Sequence, residues 1–341
     1  MKYFPYKTPG FFGGLALVTS ISTIAVWASG MPSMTALRLS PLIIGILIGA
    51  AVGNTVRDKI PDNWTTGILY SAKIILRLAI ILYGFRITFA QIAEVGLHGL
   101  IVDVIMLSST LAIGTFMGIR FLGIDRETAI MTSAGASICG AAAVVATEPI
   151  VEAEAHQTAV AVGTVVLFGT LAMFSYPMVY RTGIIPMDEN TFGIYIGSTV
   201  HGVAHVVGAG EAVGAVAAQT SLIVKMTRVM LLAPAIIVIG YLLNRGKKSA
   251  DGKSIPLTIP WFAVGFLGVA AFNSLGLLDK PLVDTINVVD TFLLTMAMTA
   301  LGIETNVSKL KGVGLGPIYL ALGLFVWLVS GGYFFTQLLT G

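Results

Sequence analysis

Long apolar stretches, separated by short polar segments, run through most of the chain. A membrane-spanning helix needs about 20 mostly apolar residues. The pattern predicts spans at 11–28, 34–54, 64–87, 98–119, 155–180, 211–243, 260–277, 284–302 and 315–338. The stretch 211–243 is too long for one straight crossing, so we expect a loop or bend in its first part, from Glu211. The prediction is an all-α polytopic membrane protein with about 9–11 transmembrane helices.

Composition agrees with a bilayer as the main solvent. Of the 341 residues, 56% are hydrophobic and only 11% are charged, whereas soluble domains carry about 25% charged residues. The net charge of +3 comes from scattered basic residues, which does not indicate nucleic acid as a partner. The single cysteine excludes an internal disulfide. The lipid bilayer is therefore the expected partner, and the sequence leaves homo-oligomer formation open.

The whole chain, 1–341, is predicted to form one transmembrane transport domain. Basic residues cluster in alternate short connections and in the polar linker 244–258. Since such residues favour the cytoplasmic side, we predict a cytoplasmic N-terminus and a cytoplasmic linker. Two further apolar stretches, 126–150 and 190–209, are rich in Gly, Ser and Ala. We interpret both as interrupted or re-entrant helical segments.

The two interrupted segments belong to an internal repeat with an offset of 62. Residues 135–162 align without gaps to residues 197–224, with eleven of 28 positions identical. A weaker repeat, with an offset of 218, relates 79–97 to 297–315 and is inverted by the predicted orientation. Inverted repeats are typical of secondary transporters. The first repeat is inverted if each segment enters and leaves on one side, and direct if both segments cross; the sequence leaves both arrangements open.

Small and hydroxyl residues interrupt each segment at its centre, where a broken helix would expose backbone N–H groups to an anion. The predicted substrate-binding residues of these segments are Ser133, Ser137, Cys139, Gly140, Ser198, Thr199, His201, Gly202 and His205. We expect the N–H groups near Ser137 and Thr199 to hold the anion. The alternative is tight helix packing through small residues.

Two cations lie deep in an apolar stretch. Lys225 and Arg228 are three residues apart and share one helical face. Charge at membrane depth usually faces the bundle interior, so the pair predicts an anionic substrate or an acidic partner on another helix. Asp103 and Asp290 are the candidate partners, and both are candidates for ion or proton coupling.

The remaining polar candidates are two histidines and two glutamines. His201 and His205 are four residues apart, on one face of a helix, and could handle a proton, bind substrate or pack as structural residues. No pattern supplies a third ligand, so we predict no metal and no cofactor. Gln157 and Gln219 occupy matched repeat positions and are predicted to bond either the interrupted segments or neighbouring helices.

Four segments carry a family resemblance. They are GASICGAAAVVA, AVAVGTVVLFGTLAMFSYP, FGIYIGSTVHGVAHVVGAG and IVKMTRVMLLAP. They resemble the YeiH family of bacterial inner-membrane proteins, and the resemblance covers roughly 35–340. It implies export of sulfate or a related oxyanion. It also implies a distant similarity to the superfamily of bile-acid symporters and sodium/proton antiporters, whose folds contain inverted repeats and two unwound helices that cross at the midplane.

The combined prediction is a secondary transporter of a small inorganic or organosulfur anion, working by alternating access across a bacterial inner membrane. One alternative is a cation-coupled symporter or sodium/proton antiporter, which would use Asp103 with Asp290. The other is an intramembrane enzyme that pairs Ser198 with a histidine. We expect no enzymatic activity.

Overall fold

The computed structural model describes residues 9–32, 34, 40–56, 59–244, 261–305 and 314–340. All regular structure in these ranges is helical, which confirms the all-α class. Seven helical stretches within them are long and apolar enough to span a membrane. They are Phe11–Ser29, Asp62–Arg86, Gly99–Arg120, His156–Thr182, Ala215–Leu243, Lys280–Glu304 and Leu315–Thr340. The other two predicted spans form helices of only 15 and 14 residues, Pro41–Thr55 and Trp261–Ser274.

The chain divides into two compact units, and the first combines residues 1–92 with 261–307. Its helices are α1 (Phe11–Ser29), α2 (Pro41–Thr55), α3 (Thr65–Tyr70), α4 (Leu76–Tyr83), α13 (Trp261–Ser274) and α14 (Lys280–Glu304), with a π-helical turn, Ser71–Ile75, between α3 and α4. The prediction of one domain over 1–341 remains a prediction. The linker 244–258 lies outside the described residues from 245 onward.

The offset-218 repeat forms equivalent contacts in the first unit. Asn54, at the end of α2, donates to the carbonyl of Thr305 after α14 (2.8 Å). Asn273, at the end of α13, donates to the carbonyl of Ile87 after α4 (3.1 Å). Arg86, also after α4, bonds the carbonyl of Asn287 near the start of α14. Because the two repeat ends therefore lie at opposite ends of α14, the repeat is inverted, as predicted.

Close helix packing holds α2 against α14. A Cβ built on Gly49 would lie 2.3 Å from the carbonyl oxygen of Thr299, and one built on Gly302 would lie 2.4 Å from that of Ile46. Backbones approach this closely only where side chains are absent, a common device between membrane helices.

The second unit combines residues 93–260 with 308–341. Its helices are α5 (Phe89–Arg120, from residue 93), α6 (Arg126–Ser137), α7 (Ala141–Val151), α8 (Ala155–Thr182), α9 (Glu189–Thr199), α10 (Val203–Val213), α11 (Ala215–Met230), α12 (Leu232–Asn244) and α15 (Leu315–Thr340). The bend expected near Glu211 is present, because α10 ends at Val213 and Gly214 separates it from α11.

Helices α6 and α7 form a re-entrant hairpin, here called the first hairpin. Asp125 caps the start of α6 by accepting a bond from the N–H of Thr128 (2.8 Å). Gln157, in the first turn of α8, donates to the same carboxylate (2.7 Å). Laid end to end, α6 and α7 would separate these residues by about 35 Å at 1.5 Å per residue. The chain therefore enters and leaves on one side.

Helices α9 and α10 form a second hairpin in the same way. Asp188 caps α9 by accepting bonds from the N–H groups of Asn190 (2.9 Å) and Thr191 (3.0 Å). Glu189 then accepts bonds from the N–H groups of Val216 (2.8 Å) and Ala217 (3.1 Å) at the start of α11. The start of α9 and the start of α11 are thus neighbours.

The two hairpins open toward opposite ends of α15. Gly316, at its start, lies beside Ile124, next to the base of the first hairpin. Gln337, near its end, donates to the carbonyl of Pro186, next to the base of the second hairpin (3.2 Å). The offset-62 repeat is therefore inverted, and the arrangement with two fully crossing segments is wrong.

Candidate functional site

The tips of the two hairpins meet. Between α6 and α7 the chain turns through Gly140, whose φ of 84° is accessible to glycine at little cost. Between α9 and α10 it is extended at Val200 and Gly202. A Cβ built on Gly140 would lie 3.3 Å from the Cα of Gly202. Since α6 has 12 residues, its tip lies about 18 Å from its base, near the middle of a core about 30 Å thick.

Lys225 of α11 reaches both tips. Its side chain is fully buried, and Nζ donates to the carbonyls of Ile138 (2.9 Å) and Val200 (2.7 Å). Ile138 and Val200 are equivalent in the offset-62 repeat. One ammonium group therefore binds the equivalent carbonyl in each of the two repeat copies.

Arg228, one turn further along α11, repeats this arrangement. It is also fully buried. Its Nε donates to the carbonyl of Ser137 (2.5 Å) and its Nη1 to the carbonyl of Ser198. Nη2 has no hydrogen-bond partner among the described residues. The guanidinium group thus holds both hairpins and retains one donor nitrogen.

Both cations stabilise helix C-termini. Ser137 ends α6 and Thr199 ends α9, so the carbonyls bound by Lys225 and Arg228 lie at the negative ends of the two helix dipoles. In the first repeat, the positions equivalent to these cations are Gly163 and Val166. Only α11 carries the charges, and it serves both hairpins.

Ser137 and Thr199 end helices rather than begin them, so their own N–H groups are not at a helix N-terminus. That N–H groups near them hold an anion stays a prediction. The hydroxyls of these two residues donate to carbonyls of their own helices, those of Ala134 and Tyr195. Ser133 and Ser198 do the same, bonding the carbonyls of Ala129 and Tyr195. The hydroxyl protons of all four are therefore directed back into α6 and α9.

The free helix N-termini lie a few residues later, at Gly140 and Gly202. These glycines are the N-caps of α7 and α10, and no side chain caps either helix. Cys139 and His201 precede them at equivalent repeat positions, and both are buried. The two positive helix ends therefore begin where the hairpin tips meet.

The two histidines do not share a helical face, because the chain is unwound at His201 and α10 begins only at Val203. His205 bonds the hydroxyl of Thr170 on α8 (3.3 Å). A Cβ on Gly169 would lie 2.6 Å from Nδ1 of His205, so the absence of a side chain at position 169 leaves room for the imidazole ring of His205. Nδ1 of both histidines lacks a partner in the described part of the chain.

Asp103 of α5 is the acidic neighbour of the two cations. It is fully buried and interacts electrostatically with Arg228 and Lys225. No ion pair within 4.0 Å joins it to either of them in the described structure. Neither carboxylate oxygen has a hydrogen-bond partner there. Of the two acidic partners predicted from sequence, this is the one the structure brings to the cations.

Asp290 lies in the first unit and has its own cation. Its Oδ2 is 3.0 Å from Nη2 of Arg86. It is therefore not assigned as a partner of Lys225 or Arg228. Gln157 and Gln219 lie near the hairpin bases: Gln157 bonds Asp125, and the half-buried Gln219 is one turn into α11. Gln157 therefore joins the two ends of the first hairpin.

Sequence reasoning missed several residues that position the site. Each hairpin starts with Asp-x-x-Thr, at Asp125 and Asp188, one residue out of register with the ungapped repeat. Tyr195 anchors α9 by donating from its hydroxyl to the carbonyl of Val329 on α15 (2.8 Å), and it stacks on Tyr176 of α8. The Asp-x-x-Thr pattern is typical of a helix N-cap and could have identified the two aspartates from the sequence. No sequence pattern indicated the aromatic contacts.

Two other chemistries lack support in the geometry of the described residues. No group of three or more His, Cys, Asp or Glu side chains there could hold a metal ion. No hydrogen bond in the same part of the chain joins Ser198 to either histidine, since its hydroxyl donates to Tyr195.

Comparison with known proteins gives a consistent family. Residues 13–321 match the family described as conserved hypothetical protein 698. A UPF0324 membrane protein from Bacteroides thetaiotaomicron is 46% identical, over 96% of this chain and 98% of its own. The UPF0324 inner membrane protein YeiH from Escherichia coli (strain K12) is 48% identical, over 94% and 92%. A UPF0324 membrane protein from Bordetella pertussis is 47% identical, over 98% of both. The chain is therefore a polytopic membrane protein that belongs to the YeiH (UPF0324) family.

Proposed function

We propose that this protein is a secondary transporter of a small sulfate-like oxyanion, inorganic or organosulfur, across the bacterial inner membrane. The observation that carries the proposal is the joint placement of Lys225, Arg228 and two uncapped helix N-termini where two inverted hairpins meet. The names of the Escherichia coli and Salmonella relatives support the choice of membrane.

Charge favours an anion. Among the described residues of the second unit, the buried charged side chains are Lys225, Arg228 and Asp103. Two cations against one carboxylate leave an excess of positive charge near mid-membrane, where uncompensated charge is costly. A bound anion removes that excess.

Hydrogen-bond donors favour an oxyanion. The first N–H groups of α7 and α10 have no intrahelical acceptor, and Nη2 of Arg228 is also unpartnered. Backbone N–H groups at helix N-termini and a guanidinium nitrogen are the donors that sulfate and related groups bind in proteins. We therefore assign the anion to the first N–H groups of α7 and α10 and to Arg228, with Lys225 contributing charge. The N–H of Gly140 itself donates to the carbonyl of Gly135 (3.0 Å), so the donors of α7 begin after it.

The repeat supports alternating access. Two hairpins of opposite orientation, each based at its own end of α15, meet at one point. Inverted repeats around a mid-membrane site are the arrangement in which one half can open to either side. We propose that the hairpin tips carry the anion between the two openings.

The test is a thermal-shift screen of the purified protein against sulfate, sulfite, thiosulfate, sulfonates such as taurine, carboxylates and sodium. A ligand at 100 times its dissociation constant stabilises the native state by about 2.7 kcal/mol. We expect a rise in the midpoint with sulfur oxyanions. A rise with sodium alone would instead support the cation-coupled alternative.

The site itself is tested by Val203→Pro. Proline at the first position of a helix removes only a free N–H, and Gly202 before it is already extended (φ −98°, ψ 150°), as a residue before proline must be. We expect the variant to fold and its anion-induced shift to be strongly reduced.

The matched control is Ala215→Pro, at the first position of α11. The preceding Gly214 is also extended, but this position lies at a hairpin base. The control should retain the wild-type shift. Equal shifts in both variants would refute the assignment to the tips.

A further inference from the structure

Asp103 is the one acidic member of the buried charged set in the described part of the second unit. Its two oxygens have no hydrogen-bond partner there, although it interacts electrostatically with Arg228 and Lys225. A buried carboxylate normally accepts hydrogen bonds that offset its lost hydration. Asp103 is thus held near two cations without being locked to either.

An anion at the hairpin tips would compete with Asp103. Both are negative and both are stabilised by the same two cations, while repulsion between them is strong in a poorly hydrated interior. When two acidic groups share a site, one of them favours its protonated form. An oxyanion such as sulfate stays ionised at neutral pH, so the proton falls to the carboxylate.

We propose that Asp103 takes up a proton from water when the anion binds, so that the anion and a proton are transported together. This inference rests on the proposed function and specifies its coupling. The step converts one carboxylate and one proton into a carboxylic acid and breaks no bond of the anion. With Asp103 neutral, the charges of Lys225 and Arg228 balance those of a dianion.

Other titratable groups surround the same cations. Cys139 interacts electrostatically with Lys225 and Arg228, as does His201, and Tyr176 interacts with Arg228. Helices α6 and α15 pack against α5. The charged residues of α6, Arg126 and Glu127, lie in its first turn at the hairpin base, and α15 has no charged residue between 315 and 340. Protonation of His201 would add a third positive charge beside two cations, whereas protonation of Asp103 removes the negative charge that opposes the anion.

The experiment is calorimetric titration of the purified protein with sulfate at one pH, in buffers that differ in ionisation enthalpy. The buffer dependence gives the number of protons taken up per anion bound. At an alkaline pH, at which the free protein keeps Asp103 ionised, the wild type should take up about one proton per sulfate bound. The sulfate dissociation constant of the wild type should rise about tenfold for each unit of increasing pH, over the range in which the free protein keeps Asp103 ionised.

Asp103→Asn should bind sulfate at least as tightly, with about no proton uptake and a flat pH profile, because its side chain is already neutral. Asp284→Asn, at an exposed position of the first unit, should behave as the wild type. Unchanged proton uptake in Asp103→Asn, or its loss in His201→Gln instead, would overturn the assignment to Asp103.

Failure of the coupling inference and failure of the proposed function can be distinguished with the wild-type protein alone. If the wild type binds sulfate at that alkaline pH with no proton uptake, the coupling inference fails and the proposed function stands. If the wild type binds neither sulfate nor another oxyanion of the screen, the proposed function fails and the coupling inference fails with it.

Discussion

Lys225 and Arg228 have a structural role in addition to the anion-binding role proposed for them. Together they donate to four carbonyls at the ends of α6 and α9, so they join the hairpins whether or not an anion is bound. Sequence was sufficient to locate these cations and Asp103, because charge in an apolar stretch is conspicuous. It did not identify their acceptors, because backbone carbonyls at the end of a broken helix carry no residue signature.

We expect Arg228→Ala to destabilise the protein even in the absence of any anion. The change removes the donors for the buried carbonyls of Ser137 and Ser198, and each hydrogen bond to a charged group contributes about 1.5–3 kcal/mol. For the two bonds, a loss of about 3–6 kcal/mol should appear as a lower thermal midpoint in anion-free detergent solution.

Arg77→Ala is the control, since Arg77 is exposed on α4 and contacts only the ring of Phe262 among the interactions described for it. Its midpoint should change little. A midpoint of Arg228→Ala equal to that of the wild type would show that the guanidinium does not hold the hairpins.

At the scale of elements, a hairpin and a broken crossing helix have similar sequences. Each interrupted segment contains about as many apolar residues as one span, and both arrangements need small residues at the centre. The bonds that distinguish them join the two ends of each hairpin, through Gln157 to Asp125 and through Glu189 to Val216. The aligned glutamines predicted the repeat but not this pairing, because the bond that joins the two ends of the second hairpin is accepted by Glu189.

The N-cap of the second hairpin should give a measurable pH dependence. The backbone N–H groups of Thr191 and Asn190 and the Thr191 hydroxyl hold the pKa of Asp188 below its usual value of 3.8. A lowered folded-state pKa means that the stabilisation is complete above 3.8 and is lost as pH falls through the folded value. The thermal midpoint of the wild type should therefore fall in that acidic range.

Asp188→Asn keeps a good N-cap but cannot titrate, so the difference between its midpoint and that of the wild type should shrink as pH falls below 3.8. Asp188→Ala should lose about 1 kcal/mol at neutral pH. A constant difference between wild type and Asp188→Asn from neutral pH to about pH 3 would contradict the role assigned to the carboxylate.

At the scale of the whole molecule, two different inverted repeats occur in one chain. The first unit pairs α2 with α14 and α13 with α4, and the second contains the opposed hairpins. The sequence predicted both repeats and the inversion of the offset-218 repeat. It left the orientation of the offset-62 repeat open, because hydropathy does not distinguish a hairpin from a broken crossing helix. It did not predict the division into two units, since residues 1–92 and 261–307 are separated by the intervening unit. The cytoplasmic N-terminus remains a prediction.

The proposed anion site is tested most directly by anomalous diffraction from crystals of the protein grown with selenate, a heavy analogue of sulfate. We expect an anomalous peak where the hairpin tips meet, within hydrogen-bond distance of the N–H groups at Gly202 and Val203 and of Nη2 of Arg228. Val203→Pro crystals should show a weaker peak at that position. A peak at another position, or no peak at saturating selenate, would contradict the claim that these tips form an anion site.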